Sequence, residues 1–256
     1  MDTALLDKNG YIILDFLNQE ELDLIKKLSQ LYIPTDVKGF YSTSHFLNVE
    51  ESIELNKKLF SIVQQKFEML FVGLELTGGT FATKKKGNSV VDAHQDWTIV
   101  DETKYRSYNL WIPLVDTNKE NGTLALVSGS HKWFEFKRGM NVKNPFLDFT
   151  NLFLNYCDEP ILKMGQAILY DHRLIHLSRG NNTNSNRDTL IFGVKEKEAK
   201  IILCIAEDNL LSEYEMEISD YYRMDIEQIK GKNRLIGKYQ NTIPKLDKGK
   251  LMNLLT

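Results

Sequence analysis

His94-Gln95-Asp96, His176 and Arg187 are the residues whose types and spacing could do chemistry together. On a strand, positions two apart project from one face, so His94 and Asp96 can reach a single metal ion while Gln95 points away. One more imidazole would complete two His and one carboxylate on one side of a metal. That arrangement leaves coordination positions open and is the facial triad of non-haem Fe(II) oxygenases. His172 and His176 are both available, four apart; on an uninterrupted strand they would share a face, and spacing alone does not choose between them. On a helix the same pair would suggest zinc, but no Glu follows the first His as in H-E-x-x-H, and the context is β. Arg187-Asp188-Thr189 sets a guanidinium and a hydroxyl on one strand face, a pair suited to gripping a carboxylate in a partly dry pocket. A cosubstrate with two carboxyl groups, one chelating iron with its neighbouring keto oxygen and one held by Arg187, would match these groups, and 2-oxoglutarate has that shape. The plainer alternatives are a hydrogen-bonded strand histidine and a surface ion pair.

The elements that must position these residues follow from periodicity. From about Val72 the texture turns to short runs of Val, Ile, Thr, Phe and Tyr broken by Gly, Asn and Asp, so the stretch to Ile205 is expected to be mostly sheet. Tyr108 to Leu114 alternates, with Asn109 and Trp111 on one face and Leu110, Ile112 and Leu114 on the other, one of the two lining a barrel interior. Asn121-Gly122 marks a turn before a strand over Thr123 to Val127, and Gln166 to Tyr170 and Thr189 to Val194 read as further strands. The polar reversal Gly180 to Asn186 is expected to put His176 and Arg187 on neighbouring antiparallel strands. Asp171 and His172 are candidates to orient His176. Trp97 stands between core packing and walling a substrate pocket, and Trp111 is assigned to packing.

Upstream, Tyr11 to Phe16 reads as a strand, and Asn18 with Glu21 as a capping-box start for a helix carrying Leu22, Ile25 and Leu28. Leu55, Leu59, Ile62, Val63, Phe67 and Leu70 recur at helical spacing, a stripe that should cover a sheet. Tyr32 to Leu47 has no period and reads as a loop near the site mouth, with His45 an ordinary surface histidine. Lys84-Lys85-Lys86-Gly87-Asn88 reads as a solvated basic turn. Lys132 to Pro160 is a long excursion with mixed signals. The tail after Glu207 shows one helix around Tyr221 to Ile229, ended by Gly231, and is either a flap over the opening or outer packing.

Composition bounds the classes. The 256 residues suit one large domain, and hydrophobic content of 42%, charged content of 26% and a net charge of -3 give no basic excess that would suit a nucleic acid. No run approaches a membrane span, and Asp2 and Asp7 stand where a signal peptide would be basic and then apolar. A cytoplasmic location is expected, with Cys157 and Cys204 as reduced thiols.

Taken together, His94-Gln95-Asp96-Trp97, Leu110-Trp111-Ile112-Pro113-Leu114, Asn121-Gly122-Thr123-Leu124, Ser128-Gly129-Ser130-His131-Lys132, His176 to Ser178 and Asn181 to Arg187 resemble the phytanoyl-CoA dioxygenase-like family of Fe(II)/2-oxoglutarate oxygenases. Gly10 to Leu14 and Leu17 to Leu22 look like that family's N-terminus. The resemblance implies a mainly β fold with flanking helices around a double-stranded β-helix core of the jelly-roll, cupin-like kind. It implies iron on His94, Asp96 and His176, 2-oxoglutarate on Arg187 with Asn109 and Thr189 as further contacts, and O2 as the oxidant. One domain over 1–256 is expected, with helical support over about 1–71, the core over 72–206 and a tail over 207–256. The expected activity is hydroxylation of an unactivated C–H bond of a small metabolite, with release of succinate and CO2. Because Asp96 keeps a carboxylate where a halogenase needs a small residue, halogenation is not expected. Desaturation or cyclisation by the same machinery, a jelly-roll binding protein without turnover, and a metal-dependent hydrolase or isomerase are the rivals. Substrate identity is not encoded in these motifs, because specificity lives in loops.

Overall fold

The computed structural model describes residues 2–36, 38–87, 89–218 and 225–256. Helix α1 (Thr3–Asn9), strand β1 (Tyr11–Asp15) and helix α2 (Gln19–Tyr32) open the chain, and Asn18 and Glu21 exchange the reciprocal hydrogen bonds of a capping box. β2 (Phe40–Ser42) and the helical turn α3 (Thr43–Phe46) occupy part of the stretch expected to be loop. α4 (Val49–Leu70) starts at a second capping box, Asn48 with Glu51. There follow β3 (Leu74–Lys84), β4 (Val91–His94), β5 (Ser107–Pro113), β6 (Ala125–Leu126), α5 (Thr150–Phe153), β7 (Gln166–Asp171), β8 (His176–Ser178) and β9 (Arg187–Glu196). The chain ends with β10 (Ile201–Glu207), β11 (Leu210–Met216), α6 (Ile226–Lys232), β12 (Arg234–Gln240) and α7 (Lys248–Leu255).

Two antiparallel sheets make the jelly-roll core, a large one in the order β1-β7-β5-β9-β3-β2 and a small one in the order β4-β8-β6. Strand alternation assigns the faces of the large sheet. Leu110 and Ile112 of β5, Leu169 of β7 and Leu190 and Phe192 of β9 turn outward into one cluster with Leu55, Leu59, Val63 and Phe67 of α4. Each fully buried side chain of this kind contributes about 1.5–3 kcal/mol, so the stripe on α4 fixes the helix to the sheet. The opposite face carries Trp111, Ile168 and Tyr170, which pack with Leu126 of β6 between the sheets. The outer face of the small sheet, Ala93, Ala125 and Leu177, is covered by Phe134, Phe146 and Phe153 of the excursion and Leu251 of α7. That cover is what the mixed signals of residues 132–160 encode.

Four expectations are corrected. The reversal 180–186 does not join neighbouring strands: β8 belongs to the small sheet and β9 to the large one, so the turn carries the chain from one sheet to the other. Residues 114–165 are largely irregular, and the strand expected over Thr123 to Val127 is reduced to β6. The tail builds a sheet, because β11 pairs with β10 across the expected boundary at 206 and β12 pairs with β11. On one face of that sheet Ile201, Leu203 and Ile205 of β10 pack with Tyr214 and Met216 of β11, Ile229 of α6 and the partly buried Trp97 and Met140. The tail helix runs Ile226–Lys232 through Gly231, and the Tyr221–Met224 part of the expected helix lies outside the described residues. Among the described residues no helix is long and apolar enough to cross a membrane.

Candidate metal centre and anion pocket

His94 ends β4, His176 opens β8, and the two are register partners in the small sheet, with ring centroids 4.2 Å apart. Asp96 follows just beyond β4, and one ligand atom from each of His94, Asp96 and His176 lies within 4.8 Å of the others. The imidazoles are aimed by the same local device. His94 Nδ1 is 2.7 Å from the Asp92 carbonyl and His176 Nδ1 is 3.0 Å from the Leu174 carbonyl. A carbonyl only accepts, so each Nδ1 carries the proton and each Nε2 keeps a lone pair for a metal. Burial, reinforced by His94, pushes His176 down to about 4, which keeps it a neutral donor. Burial opposes the charge of Asp96, but His176, His172, His94 and a hydrogen bond from Asn109 together hold its carboxyl below the ordinary value.

Asp96 is gripped on three sides. Asn109 Nδ2 donates to Asp96 Oδ2 (2.9 Å), Asp96 N donates to the His172 carbonyl (2.9 Å), and Arg138 Nε donates to the Asp96 carbonyl (2.6 Å). Arg138 is itself buried and paired with Glu102. Asn109, expected beside the cosubstrate, pairs in the β5–β9 register with Gly193, and its amide donates to Asp96 and Tyr170 at the metal end. Asp171 is paired with Arg173 and does not orient His176; that task falls to the Leu174 carbonyl. A turn at His172–Arg173 separates β7 from β8, so His172 and His176 do not share one strand. Ser130 of the Gly/Ser turn accepts a hydrogen bond from Ile175 N, and His131 donates to the Asp7 carbonyl, so this motif braces the approach to His176.

Arg187 lies on the inner face of β9, 4% exposed, with its guanidinium carbon 5.4 Å from the Trp111 ring centroid. Its Nη1 donates to Thr189 Oγ1 at 3.3 Å, and its Nε has no hydrogen-bond partner. Beside it, at the register position opposite on β3, is Lys84, which is buried. Lys84 Nζ donates to Ser178 Oγ (2.5 Å) and to the Arg179 carbonyl (2.7 Å). The expectation of a solvated basic turn therefore fails at Lys84: β3 continues through it, and its parity with Ala82 turns it inward. Burial, then the Arg187 guanidinium, push Lys84 down to about 6; burial, opposed by Asp188, pushes Arg187 down to about 10. Among the described residues no carboxylate pairs with either cation. Leaving a buried polar group unsatisfied costs about 1–3 kcal/mol, more for a charged one. A buried guanidinium beside a buried amine, with no acid between them, is a binding place for an anion. Ser178, two residues from His176 on the same strand face, lies about 7 Å along β8 from the metal end. Sequence reasoning missed Lys84 and Ser178; their signal was parity alone.

A cavity of about 420 Å³ opens from His94, Asp96 and Trp97 toward α3, where Thr43, Ser44, the exposed His45 and Leu47, the end of the stretch 32–47, line it. Gly193 forms part of its wall, where a Cβ would come within 2.3 Å of Thr77 Oγ1.

The family model for phytanoyl-CoA dioxygenase (PhyH) matches residues 43–189, more than half of the chain and nearly all of the residues described above. The chain belongs to the PhyH family. Members of this family are iron- and 2-oxoglutarate-dependent oxygenases. A curated relative, phytanoyl-CoA dioxygenase domain-containing protein 1 of Danio rerio, is 28% identical over 116 residues, 42% of this chain and 40% of that protein. A LexA repressor of Thermosipho melanesiensis is 32% identical over 89 residues, 35% of this chain and 39% of that protein, and nothing in the site depends on that partial likeness. The chain thus spans about two fifths of the length of the curated relatives it matches. Among solved structures, the non-haem α-ketoglutarate-dependent carbocyclase SnoK from nogalamycin biosynthesis superposes with a TM-score of 0.55 at 14% identity, covering 77% of this chain and 84% of that one. At that identity the likeness speaks for the fold alone.

Proposed function

We propose that this PhyH-family chain is, as a single domain over 1–256, a ferrous iron- and 2-oxoglutarate-dependent dioxygenase that hydroxylates an unactivated C–H bond of a small metabolite. The observation that carries this reading is the pairing of two half-sites: a convergent set of two Nε2 lone pairs and a carboxylate, and a buried guanidinium and amine without an acid one short strand away. The donor set of two imidazoles and one carboxylate suits Fe(II) and leaves positions for a chelating cosubstrate and O2. The orphaned Nε of Arg187, with Lys84, Ser178 and Thr189, suits the far carboxylate of a five-carbon diacid. When bound, ferrous iron and 2-oxoglutarate supply the oxidation, one atom of O2 ending in the substrate hydroxyl and the other in succinate as CO2 leaves.

The chain's own residues do the rest. His94, Asp96 and His176 hold the metal, with both Nδ1 protons parked on backbone carbonyls so that the rings cannot turn. Asn109 keeps Asp96 in one rotamer, and the neutral Tyr170 phenol beside it, raised well above its ordinary value by burial and by Asp96, adds no competing charge. Trp97 and the cavity walls limit water around the reacting carbon.

Anaerobic addition of Fe(II) and 2-oxoglutarate should produce the visible charge-transfer band of the chelate, and no band would favour a binding protein without turnover. With O2, a metabolite screen should show succinate above the uncoupled background and a product heavier by one oxygen. A product lighter by two hydrogens would move the assignment to desaturation or cyclisation.

A further inference from the structure

Two side chains that line the cavity beside the metal ligands each hold a buried polar atom that nothing in the fold satisfies. His172 and Gln95 line it at 4% and 7% exposure, and among the described residues His172 Nε2 and Gln95 Oε1 are buried without a hydrogen-bond partner. The other end of each side chain is fixed. His172 Nδ1 meets Ser107 Oγ at 3.0 Å, and Gln95 Nε2 donates to the Arg173 carbonyl. Both residues are tied to Asp96, Gln95 as its chain neighbour and His172 through the backbone hydrogen bond to Asp96 N. Of the other two unpartnered buried atoms, Arg187 Nε belongs to the anion pocket, and His131 Nδ1 sits under Gly10, away from the cavity.

The rest of the wall sets the charge of the occupant. Thr43, Ser44, Thr80, Leu47, Leu55 and Ile99 are uncharged, His45 and His94 add imidazoles, and among the described lining residues Asp96 is the one carboxylate and no Lys or Arg is present. A phosphate, sulfate or carboxylate entering here would give up its water with no Lys or Arg on the wall to meet it. A hydroxyl has the complementary pattern. With the Ser107 hydroxyl donating to Nδ1, His172 Nε2–H can donate to the ligand oxygen while the ligand O–H donates to Gln95 Oε1.

We propose that His172 and Gln95 form a donor–acceptor pair that seats an uncharged, hydroxyl- or amide-bearing substrate beside the metal, so that the substrate of this site is a compact neutral polar molecule and not a phosphorylated or acyl-carrier one. This deepens the oxygenase reading and rests on it for the chemistry that follows binding. His172 and Gln95 are substrate-positioning residues, and the volume of about 420 Å³ lies in the range of small-molecule sites.

The test uses the full chain under anaerobic Fe(II) and 2-oxoglutarate. A panel of neutral polyols and primary amides, with the matching carboxylates and phosphate esters, is titrated against the chelate band and, in parallel, by calorimetry. Neutral members should perturb the band and bind at least about ten-fold more tightly than their charged counterparts. His172→Phe and Gln95→Leu should each weaken that binding about ten-fold or more, and His172→Gln should restore part of it, which a merely structural role would not do. Failure of the wild-type band alone would remove the oxygenase reading, while the calorimetric arm still decides the pair. A normal band perturbed only by charged members, by no neutral member, or equally in both variants would overturn the pair and leave the oxygenase reading standing.

Discussion

The metal end and the anion end of the site are built on opposite electrostatic principles. At the metal end every ligand is already held in place. Two imidazoles are held by carbonyls two residues back in their own chain, and one carboxylate is held by Asn109 and by backbone. At the anion end Lys84 and Arg187, brought together by β3–β9 pairing, face each other with no acid between them. The first end is preorganised by local geometry and asks only for a cation. The second is held in an unfavourable state by the surrounding sheet and is relieved only by a ligand.

Removing the metal end's carboxylate should have the largest effect. Asp96→Ala should abolish turnover and weaken Co(II) binding, read from its visible spectrum, by well over about 100-fold, the upper range for losing an outer partner alone. Retained binding would mean that the triad is not a ligand set. Next, Arg187→Met should weaken 2-oxoglutarate by about 2–5 kcal/mol, or roughly 30-fold and upward, because Lys84 alone must then balance the far carboxylate. The same substitution should raise the melting temperature of the ligand-free protein by removing an unpaired buried charge. A lower melting temperature would show that the two ends do not differ as described. Third, Asn109→Ala should reduce metal affinity about 10- to 100-fold, with cosubstrate affinity at saturating metal little changed. A loss confined to 2-oxoglutarate would return Asn109 to the cosubstrate side.

A further effect concerns protons. Lys84 is held down to about 6 in the folded, ligand-free protein against 10.5 when exposed, so between those values the unfolded chain binds the extra proton. Stability should therefore rise with pH across that window, the penalty being complete below about 6 and gone above 10.5. An arriving carboxylate favours the charged amine, so 2-oxoglutarate binding near pH 8 should take up protons. Calorimetry in buffers of different ionisation heats measures this uptake, and it should be absent in Lys84→Met. Equal uptake in both proteins would assign it elsewhere.

These two ends were also unequally legible in the sequence. His94, Asp96 and His176 carry residue types that are rare and telling, and the alternation of Tyr108 to Leu114 gave the right faces because a half-buried strand writes its orientation into a period of two. The stripe on α4 was readable for the same reason. Lys84 was not, because a lysine followed by two more and a glycine looks solvated, and only pairing with a strand far along the chain turns it inward. The crossing between sheets at 180–186 was missed because turn residues announce a reversal without saying which strand receives it. The tail sheet lacked a signal since β12 is exposed along nearly its whole length and shows no apolar alternation.

Arg138 comes from the excursion that roofs the small sheet, yet its guanidinium fastens the Asp96 carbonyl and is pinned by Glu102. Loosening of that roof and release of the ligand loop are then one event, and coupling of this kind works in both directions. A bound divalent ion should therefore shield residues 132–160 from a protease, although none of them touches it, and an early nick in that roof should cost the protein its metal.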